Sequence, residues 1–201
     1  ATKVDAAKKT VTLAGGQTLP YDKLVLSPGI DFKWGAIAGY DEAASQVVPH
    51  AWKAGAQTML LRRQLEAMKD GGVFVIAVPA DPFRCPPGPY ERVSMIAHYL
   101  KTKKPKSKIL ILDAKEAFSK QGLFMGGWKA LYGGMIEWVP QSKDGKVTKV
   151  DPKTRQLECE LGAKHKGDVV NIVPPQKAGA IAMAAGVAQG DWCPINPVTF
   201  E

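Results

Sequence analysis

Apolar positions along the chain fall into two kinds of run. Val73–Val78 (VFVIAV) has no polar position, and Lys108–Leu112 (KILIL) has only its first. Short continuous apolar runs rich in β-branched residues mark strands buried on both faces. Elsewhere the spacing becomes helical. Thr58, Leu61, Leu65 and Met68 share a face within Ala54–Met68, as do Val93, Ile96, Ala97 and Leu100 after Pro89. Pro89 suits a first helical turn, where its missing N–H costs nothing. Asp70-Gly71-Gly72 stops the earlier helix. Strand 73–78, helix 90–101 and strand 108–112 therefore predict one βαβ unit with parallel strands and a right-handed crossover.

The flanking pattern extends this unit. Lys9–Leu13 alternates, Gly15-Gly16 turns and Gln17–Leu19 returns, which predicts a β-hairpin. Lys23–Leu26 reads as a buried strand ended by Ser27-Pro28-Gly29. Residues 30–52 are irregular, with Trp34, Tyr40 and Trp52 as anchors. Phe118–Tyr132 predicts a helix interrupted at Gly126-Gly127, and Ile136–Val139 a short strand. Lys146–Val150, Arg155–Leu161 and Asp168–Val173 predict an antiparallel meander followed by a return strand. A short helix at Ala178–Ala185 follows Pro174-Pro175, and Gly190–Glu201 opens an extended segment that looks cut short. The fold class is α/β: a Rossmann-like nucleotide-binding domain, with a parallel sheet and helices plus an antiparallel β-meander.

Composition narrows the class. Apolar content of 45% and mean hydropathy of −0.13 are those of a globular protein rather than a disordered or fibrous one. No apolar run approaches the ~20 residues of a membrane span, and no signal-peptide pattern opens the sequence. Lys+Arg 27 against Asp+Glu 19 gives a net charge of +8. The lysines are spread out, and the one dense run, Lys101–Lys108, reads as solvated lysines in a connection. No nucleic-acid motif accompanies them; a basic face for an acidic protein partner stays open beside that reading. The cysteines, Cys85, Cys159 and Cys193, form no CxxC pair and are joined by only three histidines, so no metal site is expected. Cys159 lies in the meander, where a free cysteine behaves as a small hydrophobe.

The loop after strand 73–78 carries the candidate chemistry. A nucleotide-binding fold places there a glycine-rich turn whose N–H groups cradle phosphate. Here Pro79, Pro82, Pro86, Pro87 and Pro89 occupy five of the eleven positions 79–89, and only Gly88 is glycine. Proline has no N–H, so this loop lacks the usual cradle. It instead holds Cys85 on a stiff backbone near a helix N-terminus, with Arg84 and Arg92 close in sequence, a setting that favours a thiolate. Glu91 could accept a proton beside it, and is also simply the acid that first helical turns favour. Asp113, ending the second strand, fits the place of a ribose-binding acid, but is also an ordinary strand-ending residue. Ser27-Pro28-Gly29 either lets backbone approach a ligand closely or is a plain turn.

Residues FRCPPGPYER (83–92), preceded by a buried strand, resemble the flavoprotein subunit of flavocytochrome c sulfide dehydrogenase. The similarity extends through PHAWKAGAQTMLLRRQLEAMKDGG (49–72), SKILILDAKEAFSKQ (107–121), VVNIVPPQKAGAIA (169–182) and GDWCPINPVTFE (190–201). YDKLVLSPG (21–29) is similar to a segment of the wider glutathione reductase group, which places Ser27, Pro28 and Gly29 near FAD. The resemblance implies a redox disulfide beside a flavin, attacked by sulfide to leave a persulfide. Two electrons would then reach FAD and leave singly to a c-type cytochrome subunit in the bacterial periplasm. Cys85 matches one active cysteine and Glu91 the proton-handling glutamate. The family's second redox cysteine lies outside these residues, and Cys193, in a matching WCP segment, is not assigned as the partner.

The resemblance implies three segments: 1–50 as part of an FAD domain, 51–173 as a second, NADH-like Rossmann domain, and 174–201 as the start of the returning FAD-domain segment. No G-x-G-x-x-G occurs in the sequence, so the main FAD phosphate motif is not among these residues. Three rival readings stay open: a sulfide:quinone oxidoreductase, an NADH-dependent flavin reductase, and a non-catalytic electron-transfer or docking module. The 201-residue chain by itself is expected to bind no stoichiometric FAD and to turn over no sulfide. Flavin absorbance and a sulfide assay on the purified chain check this, and a yellow, active preparation would overturn it.

Overall fold

The structure is a computed structural model describing all of residues 1–201. In chain order its elements are β1 (Lys3–Asp5), β2 (Thr10–Thr12), β3 (Thr18–Pro20), β4 (Ile30–Phe32), α1 (Ala56–Ala67), β5 (Val73–Val78), α2 (Gly88–Lys103), β6 (Lys108–Asp113), α3 (Gln121–Tyr132), β7 (Ile136–Val139), β8 (Val147–Asp151), β9 (Gln156–Cys159), β10 (Lys164–Lys166), β11 (Val169–Ile172), β12 (Gln176–Ala178) and α4 (Ala180–Ala184). They form two compact units, residues 1–33 with 176–201, and residues 34–175.

In the first unit β1, β2 and β3 make an antiparallel sheet, so the expected hairpin gains a third strand. Lys23–Leu26 does not form the expected strand. No strand of the chain pairs with it, and Val25 is 89% exposed. The ladder begins after Ser27-Pro28-Gly29 instead, where β4 buries Ile30 and Phe32 and pairs antiparallel with β12.

The second unit is built on a parallel sheet in the order β11-β5-β6-β7. Its two faces follow from strand alternation. Val75 and Ala77 of β5, Leu112 of β6, and Val170 and Ile172 of β11 share one core with Val150, Leu157 and Cys159 of the meander. The intervening residues, among them Ile76, Ile111, Asp113 and Asn171, face the helices. The sheet is thus covered on both sides, as its continuous apolar strands require. Ile37, Tyr40, Ala44 and Val48 belong to the same meander-side core. The compact unit takes in residues from 34 onward, and the segment read as irregular is a packed covering of its core. Gly39 holds it close: its φ is +78°, and a Cβ there would lie 2.2 Å from the Val150 carbonyl oxygen.

Some elements differ from the expectation for identifiable reasons. α3 runs unbroken through Gly126-Gly127. Each interior glycine costs about 1 kcal/mol, which burial of Trp128 against Phe118 and Phe124 offsets. Phe118 itself is drawn out of the helix to stack on Tyr90, ring centroids 3.7 Å apart. The meander includes β10, within residues read as a connection. Its Lys-His-Lys sequence has no apolar alternation, so ladder pairing alone makes it a strand. The Lys101–Lys108 run is not uniformly solvated. Lys104 is 8% exposed, and its ammonium donates to the carbonyls of Leu65 (2.6 Å), Glu66 (2.7 Å) and Met68. It caps the C-terminus of α1, whose last carbonyls have no intrahelical partner. Lys104→Met keeps the apolar stem and removes these bonds. It is expected to lower stability by about 2 kcal/mol, read as a lower urea midpoint with unchanged slope; an unchanged midpoint would contradict the capping role.

Candidate active site

The strand order reverses between β5 and β11, and in such sheets ligands bind beyond the carboxyl ends of the strands at that point. The loop leaving β5 there carries Cys85. Its φ is +62°, a left-handed conformation uncommon for a residue with a Cβ and kept only where the surroundings enforce it. Its side chain is exposed and its thiol free. The Cys85 carbonyl accepts from the Gly88 N–H at 2.9 Å, which turns the chain into α2. A Cβ at Gly88 would lie 3.1 Å from Cys85 Sγ and 2.8 Å from Trp52 Cη2. A glycine in the first turn therefore lets the sulfur sit against the helix start.

A buried polar network holds this arrangement from behind. Asn171 of β11, 0% exposed, donates to the carbonyls of Pro49 (2.7 Å) and His50 (2.9 Å). Its amide oxygen accepts from Arg92 of α2 at 2.8 Å. Arg92 also donates to the carbonyls of His50 (3.1 Å) and Ala51 (2.5 Å) and lies over the Trp52 ring, 4.9 Å from its centroid. Burial pushes Arg92 down to about 10, so it stays charged at neutral pH. His50 is pushed down to about 4 by burial, with Lys53 and Arg92 adding to the effect. It is therefore neutral, and its Nδ1 accepts the Trp52 N–H at 2.9 Å. Arg84 donates to the Trp52 carbonyl. The two arginines expected to act as charges beside the thiol are thus tied to the backbone of residues 50–52.

Glu91 is exposed on the first turn of α2. With Gly88, Leu61, Leu65 and Met95 it lines a largely apolar groove of about 610 Å³ between α1 and α2. Cys85 and Glu91 both adjoin Gly88, one by direct contact and the other one helical turn along.

Asp113 is placed very differently. It is 0% exposed. Its Oδ2 accepts from Tyr90 Oη at 2.5 Å and Trp138 Nε1 at 3.0 Å, and its Oδ1 from Lys115 at 2.6 Å. Burial, and then the Asp113 carboxylate, raise the Tyr90 hydroxyl above its usual range, so Tyr90 remains a donor. Both carboxylate oxygens are occupied by the protein itself, and Phe118 closes over Tyr90. Asp113 is a buried structural acid here, not a free ribose ligand. Sequence reading found Asp113 but not Tyr90, Lys115 and Trp138. Only the β6–β7 register, which sets Trp138 opposite Ile111, brings Trp138 onto the Asp113 face. The Asn171–Arg92–His50 network had no sequence signal, because its members are scattered over more than a hundred positions.

Of the remaining candidates, Cys159 lies in the core of the second unit and the others belong to the first unit. Ser27, Pro28 and Gly29 form an exposed, irregular segment of the first unit. Gly29 has φ +79° with no heavy atom within 4 Å of a Cβ position, and its carbonyl accepts from Gly179 N–H at 3.0 Å. Cys159 is buried, and burial followed by nearby Asp144 pushes its thiol up to about 11, the behaviour of a core residue. Cys193 is half-buried and free, so the structure contains no disulfide. No helix is long and apolar enough to cross a membrane.

Comparison with known proteins gives the following. The family described as "Sulfide dehydrogenase (flavocytochrome c) flavoprotein chain, central" matches residues 58–174. Among solved structures, a covalent putidaredoxin reductase–putidaredoxin complex superposes with a TM-score of 0.64 at 19% identity, over 94% of this chain and 43% of that one. Reduced CoADR-RHD of Bacillus anthracis gives 0.59 at 16%, over 94% and 32%. An NAD-dependent persulfide reductase from A. fulgidus gives 0.60 at 17%, over 95% and 33%. At these identities the likeness is one of fold. The chain spans less than half the length of each of these structures.

The proline loop and the occupied Asp113 together predict that NADH does not bind. Calorimetric titration to millimolar NADH is expected to show no saturable heat. Saturation would mean that Tyr90 and Lys115 release the carboxylate.

Proposed function

Because the chain belongs to the family of the central part of the flavocytochrome c sulfide dehydrogenase flavoprotein, we propose that it contributes the sulfur-handling wall of an FAD-dependent sulfide dehydrogenase. The observation that carries this reading is Cys85. It is an exposed free thiol on a left-handed loop residue, seated against Gly88, where a nucleotide-binding fold would keep its phosphate cradle.

In this reading Cys85 alternates between the thiol of this structure and a disulfide with a second cysteine outside these residues. Attack by HS⁻ on the disulfide forms an S–S bond to Cys85 and releases the other sulfur as thiolate. Glu91, on the exposed side of α2 one turn from Gly88, takes the proton that the substrate loses. The rigid prolines keep the sulfur in place during attack, and the apolar α1–α2 groove lies on the Glu91 side.

When bound, FAD supplies the two-electron acceptor. The residues present fit one edge of it: Ser27, Pro28 and Gly29 offer exposed backbone with a left-handed glycine where a flat ligand can approach. The pyrophosphate cradle is not among these 201 residues. Electrons then pass to a c-type cytochrome, for which the net charge of +8 favours an acidic docking face, and the complex works in the bacterial periplasm. The occupied Asp113 counts against the NADH-dependent flavin reductase.

Cys85→Ser, introduced into the flavoprotein that carries this chain, is expected to abolish sulfide-dependent cytochrome c reduction while leaving the flavin spectrum intact. Glu91→Gln is expected to slow it about a hundredfold. Undiminished turnover in Cys85→Ser would refute the assignment, and reduction of quinone but not cytochrome would move the chain to the sulfide:quinone class.

A further inference from the structure

Three consecutive residues of the proline loop approach one residue, Trp52, two of them at its ring and one at its backbone. The Phe83 ring lies 6.4 Å from Trp52, centroid to centroid. Arg84 donates to the Trp52 carbonyl. Cys85 Sγ and the Trp52 ring edge flank the same Cβ position at Gly88, 3.1 and 2.8 Å from it, which sets them within about 6 Å of one another, the range of a sulfur–aromatic contact. Trp52 is itself fixed on every side. It is 6% exposed, its backbone N–H donates to the neutral His50, and Arg92 lies over its ring.

Packing alone does not account for a tryptophan here. Its indole Nε1 is buried with no hydrogen-bond partner, an unfavourable state that phenylalanine would avoid. Indole is, however, the strongest aromatic seat for a guanidinium, and its long ring reaches from Arg92 to the space at Gly88 that the sulfur also borders. Arg92, whose terminal donors are tied to backbone and Asn171, meets the loop's neighbour Trp52 through this ring.

We propose that Trp52 is the positioning residue of Cys85. It seats residues 83–85, enforces the left-handed backbone of Cys85, and holds Sγ against the start of α2. The inference rests on the reading of Cys85 as the reactive sulfur. Without the indole, Phe83 and Sγ lose the ring beside them, and the sulfur is less firmly held against the start of α2.

The three free cysteines allow a test with internal controls. Iodoacetamide labelling of each is followed by mass spectrometry in the wild type and in Trp52→Ala, Trp52→Phe and Gly88→Ala. Cys159, buried in the core, reports unfolding, and Cys193 reports reagent reactivity. In the wild type Cys85 is expected to label faster than Cys193. Trp52→Ala is expected to slow Cys85 labelling about five-fold, with Cys159 still protected. Trp52→Phe, which keeps a ring under Arg92 and against Phe83, is expected to restore the rate to within about twofold. Gly88→Ala drives a methyl between the sulfur and the indole and is expected to slow Cys85 similarly. It carries the test if Cys159 becomes labelled in Trp52→Ala. Fast Cys85 labelling unchanged in the folded variants would overturn the positioning role alone. Cys85 labelling no faster than Cys193 in the wild type would instead remove the reading of Cys85 as reactive.

Discussion

The guanidinium of Arg92 is the constraint on which the site depends. A charge partly removed from water is favoured only when its hydrogen-bonding groups find partners. Here the acceptors are two carbonyls of residues 50–51 and the amide oxygen of Asn171, with the Trp52 ring over the remaining face. These partners come from an irregular segment, a helix and a strand. Meeting one charge therefore fixes three pieces of chain relative to one another. The neutral state of His50 follows from the same burial, and it frees Nδ1 to hold Trp52. Trp52 then holds the loop. The position of one exposed sulfur is in this way set by a charge that does not touch it.

The nucleotide-binding architecture has been kept and its ligand places filled. The parallel sheet, the reversal between β5 and β11, and an acid ending the second strand are all present. Yet prolines replace the N–H donors of the phosphate turn. Tyr90, Trp138 and Lys115 occupy the carboxylate that would bind a ribose. A half-filled polar site would be worse than an apolar one, and this one is complete: both oxygens of Asp113 have donors, and the aromatic cluster of Phe118, Phe124 and Trp128 seals it from water. Family membership and this chemistry agree. The chain belongs to the family of the central part of the flavocytochrome c sulfide dehydrogenase flavoprotein, and its nucleotide-binding sheet has its ligand places occupied by its own side chains.

The α/β class, the βαβ unit and the proline loop were legible in the sequence because each rests on local rules. Apolar runs, helical spacing and missing N–H groups need no knowledge of what lies opposite. Lys23–Leu26 shows the limit: its apolar pattern suits a strand, but a strand exists only with a partner, and none pairs with it here. β10 shows the converse, a strand with no pattern of its own, made by its neighbour. Lys104 reads as one solvated lysine among several, and only the approach of the α1 terminus gives it three carbonyls to cap. Gly126-Gly127 reads as a break, and only the burial of Trp128 carries the helix through it.

The sequence by itself determined that Cys85 sits on a stiff turn after a buried strand, that no amide cradle surrounds it, and that Glu91 follows one turn into the next helix. These are properties of neighbours along the chain. The tertiary structure decided which groups face that sulfur and which do not. It took Arg84 and Arg92 away to backbone carbonyls, sealed Asp113 behind Tyr90, and brought Trp52 against Gly88. Such outcomes depend on contacts between residues tens to more than a hundred positions apart. They are settled by burial and by the need to satisfy every buried polar group, and neither is visible until the chain has closed on itself.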